Sequence, residues 1–157
     1  DVLKHALNIF KKKNQYPDIL IVLLANAPIV KSQWISDCIK ILKKNKNITS
    51  VVPVQNINDH HPERAKQIKN NFLKNFINKK KISSNRQDLT KCLFLCHNFW
   101  VIRSDEIYKN NGQLPWSFMG KRVKAYEIKS SIDIHSAMDV EIAKILIKNE
   151  KLSKKFF

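Results

Sequence analysis

Asp18 to Ala25, DILIVLLA, places seven apolar side chains in a row between YP on one side and NAP on the other. A run of that length with no polar alternation predicts a strand covered on both faces, as in a parallel sheet flanked by helices. Its neighbours agree. Ser32 is a candidate helix cap, and Trp34, Ile35, Cys38, Ile39, Ile41 and Leu42 follow at helical spacing up to Lys44. TSVVPVQ (49–55) then reads as a second strand. Strand, helix and strand joined by loops this short predict a right-handed crossover unit of an α/β sheet.

At 157 residues the chain is expected to form a single domain. With 43% hydrophobic residues, two glycines and five prolines, collagen-like and low-complexity classes are excluded. The sequence has no apolar run long enough to cross a bilayer, and DVLKHALNIFKKK lacks the features of a secretion signal, so a cytoplasmic protein is expected. Cys38, Cys92 and Cys96 lack the paired spacing of a zinc or redox site and are expected to be reduced thiols. The net charge of +16 invites a nucleic-acid reading. However, the lysines are scattered, arginine is scarce, and no aromatic-interleaved basic stripe occurs. Lys, Asn and Ile rise together, as an AT-rich genome would produce, so no nucleic-acid partner is expected.

The remaining elements follow the same logic. Val2, Leu3, Ala6, Leu7, Ile9 and Phe10 predict an opening amphipathic helix, and residues 56–88 lose regularity and read as an excursion of loops with room for a hairpin. KCLFLCHNFWVIR (91–103) predicts a further strand, SDEIYK a short helix capped by Ser104, and KRVKAYEIK another strand. Asp133 then ends an apolar segment. From about Ala137 a last helix is predicted to turn Val140, Ile142, Ala143, Ile145 and Leu146 inward.

In open α/β sheets ligands lie beyond the carboxyl ends of strands, which leaves three clusters of interest. Asn26, in NAP, can donate and accept hydrogen bonds, although an ordinary strand-to-helix turn looks the same. Arg86 and Gln87 offer a guanidinium fork for a carboxylate beside an amide suited to sugar hydroxyls; a solvated loop arginine is the alternative. Asp133 can give a hard cation such as Mg²⁺ one carboxylate, with substrate phosphates supplying the rest. Asp139 in a first helical turn is explained by the helix dipole alone. For His135 a phosphate or metal contact and a solvent-facing ring are both open, since imidazole is a poor Mg²⁺ ligand. His60 and His61 have no zinc-like spacing, and Trp100, Trp116 and Phe118 read as core.

Taken in order, LLANAPIV, SQWISDCIKILKKN, TSVVPV, HHPERAKQI, NRQDL, LCHNFWVIR and PWSFMGKRVKAYEI, with Gly120 as the glycine before a metal-binding acidic motif, resemble the acylneuraminate cytidylyltransferase family of CMP-sugar synthetases over nearly the whole chain. The resemblance implies a three-layer Rossmann-like nucleotidyltransferase sheet, present in part, with an inserted excursion at 56–88 that makes a homodimer contact. It also implies CTP and an acidic nine-carbon sugar as substrates, with CMP-sugar and pyrophosphate as products and Mg²⁺ as cofactor. On that resemblance Asp133 holds the metal with His135 beside it, Arg86 and Gln87 face the sugar, and Asn26 lines the pocket. Asn98 contacts the substrate, a place His97 would take if the alignment shifts by one residue.

The chain departs from the family pattern at two points. Asp133, Ile134 and His135 stand where the family shows Asp-x-Asp, and the family's N-terminal strand and basic glycine-containing loop have no counterpart in this sequence. The chain therefore resembles the C-terminal two-thirds of such an enzyme. A ligand-binding or inactive remnant of the same fold is the alternative.

Overall fold

The computed structural model describes residues 2–56 and 60–153, so residues 57–59 of the predicted excursion lie outside it. In chain order the elements are α1 (Val2–Lys12), β1 (Ile19–Leu23), α2 (Ser32–Lys44), β2 (Ser50–Asn56), β3 (Lys66–Lys69), β4 (Phe72–Asn75), β5 (Leu93–Leu95), β6 (Phe99–Arg103), α3 (Glu106–Lys109), β7 (Val123–Glu127) and α4 (Ala137–Ser153). They fall into two compact units, one formed by residues 1–54 and 95 onward, the other by residues 55–94.

The larger unit is a mixed sheet between helices. β1 pairs antiparallel with β6, Ile19 opposite Arg103 and Leu23 opposite Phe99. β6 is antiparallel to β2 at Ser50 and Val51, and β2 runs parallel to β7 from Ser50 opposite Val123 to Val54 opposite Glu127. β1, β2 and β7 therefore share one direction, and their carboxyl ends meet at one rim. The sheet order is β1-β6-β2-β5, with β7 also on β2.

Beyond Val51, β6 leaves the β2 ladder, and the Pro53 carbonyl accepts the Cys96 N–H at 2.9 Å. A proline, which has no N–H to offer, fits where the antiparallel neighbour has departed.

Alternate residues along each strand serve opposite faces. Val52, Val54, Trp100 and Ile102 pack with Leu7 of α1, Ile107 and Met119; Val51, Phe99 and Val101 pack with Cys38 and Leu42 of α2. This is why the strands read as continuous apolar runs: a helix waits on each side. Complete burial of a side chain such as Phe99 or Leu42 contributes about 1.5–3 kcal/mol.

Several predictions need correction. β1 was predicted to be covered on both faces among parallel neighbours. Instead it is an edge strand with an antiparallel partner, and Ile21 and Leu23 are exposed. β6 lies between β1 and β2, so the crossover spans one intervening strand.

The predicted strand at 91–103 is broken at Cys96 to Asn98 into β5 and β6. The apolar segment that Asp133 ends is irregular in backbone. Ser32 is the first helical residue of α2 instead of its cap, and Lys31 in the cap position makes no side-chain cap bond. Asp105, not Ser104, stands at the cap of α3. In α4, Ala143 is buried, but Ile142 and Ile145 face outward with Met138, because that helix is apolar on more than one side.

The smaller unit is built differently. β3 and β4 form an antiparallel hairpin, Ile68 opposite Leu73, and the two residues between the strands, Asn70 and Asn71, both have positive φ (54° and 63°). Paired left-handed residues give the two-residue turn whose twist matches the strands, and asparagine tolerates that conformation. Among the described residues of this unit, only His61 is buried. Its Nδ1 accepts the Glu63 N–H (3.2 Å), which fixes Nε2 as the donor to the Thr90 carbonyl (2.9 Å).

Candidate active site

The rim where β1 and β7 end is tied together by three loops. The residues after β1 supply the Asn26 carbonyl, which accepts the Ile134 N–H at 2.8 Å, and this stitches the NAP turn to the Asp133 segment. Asn98, fully buried at the entry to β6, donates from Nδ2 to the Ile29 carbonyl (2.6 Å) and accepts from Ser131 Oγ (2.7 Å). One amide thus braces the loop after β1 against the loop after β7. A buried amide with both ends engaged is stable; one robbed of a partner is costly.

Next to this brace, His97 Nδ1–H donates to Asp133 Oδ2 at 2.7 Å. The imidazole packs edge-on against Trp100 and Trp116, with ring centroids at 5.8 and 5.3 Å, and its Nε2 is buried with no hydrogen-bond partner among the described residues. The aromatic wall holds the ring, and the ring holds one carboxylate oxygen. Oδ1 of Asp133 carries no hydrogen bond among the described residues, and the carboxylate is partly open to solvent.

Asp139 has a different task. Its Oδ2 accepts from the N–H groups of His135 (3.0 Å) and Ser136 (2.7 Å) and from Ser136 Oγ (2.8 Å), while the Asp139 N–H donates to Ser136 Oγ (3.3 Å). This is a reciprocal capping box at the start of α4. The His135 N–H, followed by the Ser136 hydroxyl, holds this carboxyl below its ordinary range. The His135 side chain is exposed.

Asn26, Asn98 and Asp133 are thus brought to one rim, and His97, which the sequence offered only as a substitute for Asn98, turns out to be the neighbour of Asp133. Arg86 and Gln87 lie in the smaller unit. They form a turn in which Asn85 Oδ1 accepts the Gln87 N–H (3.3 Å), and together with His61 and Lys91 they line a hollow of about 300 Å³.

The three cysteines are free thiols, and burial, then the nearby Asp37 charge, pushes Cys38 up to about 12, which leaves it inert.

Among the described residues no three His, Cys, Asp or Glu side chains converge on a common point. A cation caged by protein groups alone does not fit this site. The uncommitted oxygen of Asp133 does fit Mg²⁺, which is commonly held by one or two carboxylates, water and substrate phosphates.

No protein-family model matches the chain, and no curated protein matches it in sequence. Solved structures do match it. The CTP complex of CMP:2-keto-3-deoxy-manno-octonic acid synthetase superposes with a TM-score of 0.60 at 12% identity, over 96% of this chain and 69% of that one. The chain carries a partial Rossmann-like nucleotidyltransferase fold. A Bacillus anthracis structure in complex with a sucrose, described as a glucose-1-phosphate thymidylyltransferase, reaches 0.51 at 14% identity, over 90% of this chain and 59% of that one. At such identities the likeness is one of fold, and the chain spans well under the full length of either neighbour. Among the described residues no helix is long and apolar enough to cross a membrane.

Proposed function

We propose that this chain is the acceptor-side portion of a cytidylyltransferase that joins CMP from CTP to an acidic 2-keto sugar, of the nine-carbon nonulosonic type, with release of pyrophosphate. The observation that supports this most is the presentation of Asp133 by His97 at the carboxyl-end rim of a nucleotidyltransferase sheet, with one oxygen uncommitted. In the reaction the sugar's anomeric oxygen forms a bond to the α-phosphorus, the bond from that phosphorus to the bridging oxygen breaks, pyrophosphate leaves, and the hydroxyl proton passes to water. Such chemistry depends on positioning and charge stabilisation more than on a covalent intermediate.

Asp133 would hold Mg²⁺ through Oδ1. The ion, when bound, supplies positive charge to the phosphate oxygens as negative charge develops there. His97 fixes the carboxylate's orientation. Asn98 sets the spacing of the two loops from behind, and Asn26 borders the same rim. Arg86 and Gln87 are assigned to the sugar's carboxylate and hydroxyls, in keeping with a guanidinium's fit to carboxylate. His135 is placed outside the metal's ligands, because its ring is exposed and imidazole suits Mg²⁺ poorly.

The exposed apolar hairpin, with Ile68, Phe72 and Leu73 each more than two-thirds exposed, is assigned to a homodimer contact.

The test is ligand-dependent stability followed by turnover. CMP-sugar with Mg²⁺ should raise the melting temperature, and Asp133→Asn should remove the Mg²⁺-dependent part of the rise. Pyrophosphate release from CTP should be compared with nonulosonic and octonic acids as acceptors, and Asp133→Asn should lower it by at least about a hundredfold. A flat melting curve at millimolar ligand, with no pyrophosphate from either acid, would sink the proposal.

A further inference from the structure

At the other end of β7 from Asp133, a groove of about 680 Å³ opens between the C-terminal turn of α2 and the first residues of β7. Four of the eight described residues that line it are cationic, namely Lys44, Lys121, Arg122 and Lys124, against 29 Lys and Arg in the 157-residue chain. Among the described residues no Asp or Glu lines it. Elsewhere the lysines often sit beside carboxylates, as in Lys40 with Asp37 (3.6 Å), Lys79 with Glu63 (2.8 Å) and Lys144 with Glu141 (2.7 Å). The groove collects positive charge without that relief.

Both walls are held in place. On one side Arg103 bonds the carbonyls of Leu42 (2.6 Å), Ile48 (2.9 Å) and Asn45 (3.3 Å) at the end of α2. The negative end of that helix is thereby answered by Arg103, and Lys44 is not needed for it. On the other side the Arg122 N–H donates to Thr49 Oγ1 (3.1 Å), and Thr49 N–H donates to the Arg122 carbonyl (3.0 Å). Gly120 permits this close approach: its φ is 80°, and a Cβ there would stand 2.6 Å from Thr49 Cβ. Lys121 and Arg122, just before β7, and Lys124 within it thus project from a pinned backbone, and the floor between the walls is Ile41, Ile48 and Val123.

We propose that this groove is a binding site for a linear oligophosphate, separate from the Asp133 rim. Four cations with no carboxylate partner among the described residues call for a ligand with several linked negative charges rather than a single carboxylate, and the groove's volume lies within the roughly 300–1,000 Å³ of small-ligand pockets. Among the described residues no aromatic side chain lines it, so they offer no platform on which a base could stack. The ligand is recognised by its phosphates, and inorganic and nucleoside oligophosphates share that chemistry. The inference does not rest on the proposed cytidylyltransferase activity.

Isothermal titration of the whole chain with inorganic tripolyphosphate, with ATP and with a short oligothymidylate, at low and at physiological salt, tests it. Tripolyphosphate and ATP should bind with similar affinity. The double variant Lys121→Gln, Arg122→Gln should weaken both by about tenfold or more, as should Lys44→Gln with Lys124→Gln, whereas the charge-matched control Lys12→Gln, Lys13→Gln should change them by less than about twofold. ATP binding that greatly exceeds tripolyphosphate binding would show a nucleoside pocket elsewhere. Equal losses in groove and control variants, no binding by the unaltered chain, or a marked preference for the oligonucleotide would each overturn the assignment, and unaltered melting curves of the exposed-lysine variants guard against misfolding as the cause.

Discussion

The larger unit and the 55–94 unit use apolar side chains in opposite ways. In the first, Phe99, Val101 and Leu42 close one face of the sheet, and Leu7, Ile102 and Ile107 close the other. In the second, Ile68, Phe72, Leu73 and Phe76 stand in solvent on a hairpin whose strands bury nothing. A segment of this size has too little interior to hold itself together by burial alone, and at about 40 residues other devices are usually needed. Here the order comes from local polar chemistry: the paired asparagine turn, His61 between Glu63 and Thr90, and Ser83 donating to Asp88 (2.7 Å). The difference separates a scaffold that positions from a surface that presents.

Breaking the comparison outright is a matter of two substitutions measured side by side by urea unfolding. Phe99→Ala should cost about 3–5 kcal/mol, the range for emptying a packed aromatic site. Leu73→Ser, measured where the chain is dilute, should change stability by no more than about 0.5 kcal/mol, yet lower self-association in sedimentation at high concentration. Equal costs would mean that the hairpin is as much a core element as β6.

A smaller effect sharpens the picture of the rim. Asn98→Ala should cost about 1–3 kcal/mol, because the Ile29 carbonyl and the Ser131 hydroxyl lose a buried partner. Amide exchange at Ile134 should quicken with it, while amides of the hairpin stay unchanged.

The order in which features could be read from the sequence follows the range of the interactions. The strands β1, β2, β6 and β7 and the helices α1 and α2 were visible because each is a short apolar run or a helical stripe, set by neighbours in the chain. The insertion of β6 between β1 and β2 was not, because antiparallel pairing over some eighty residues leaves no local mark. The same holds for His97 and Asp133, which are 36 positions apart, and for the brace from Asn98 to Ile29, 69 apart. Asn26 and Asp133 were singled out because residues after strands are suspect in any such sheet. The outward face of α4 was misread because apolar residues on two sides of a helix give periodicity no direction.

The smallest effect concerns the capping box of α4. Ser136→Ala should cost about 1 kcal/mol near neutral pH. Asp139 titrates below its ordinary value in the folded chain, so its contribution is complete above the unfolded carboxylate's value and is lost as pH falls through the lower folded one. Asp139→Asn should therefore remove part of the acid-side loss of stability seen in unfolding curves. An unchanged acid limb would show that the box contributes nothing as a charge.

One consequence of β1's position at the margin of the sheet reaches beyond the molecule. Among the described residues nothing hydrogen-bonds its outer side, and Ile21 and Leu23 flank that side uncovered. Such a border is a template on which any extended peptide of suitable sequence can be laid down, N–H to carbonyl, without disturbing what lies behind it. At high concentration this border offers a second route to association beside the hairpin, and Ile21→Lys should suppress it without altering the hairpin contact.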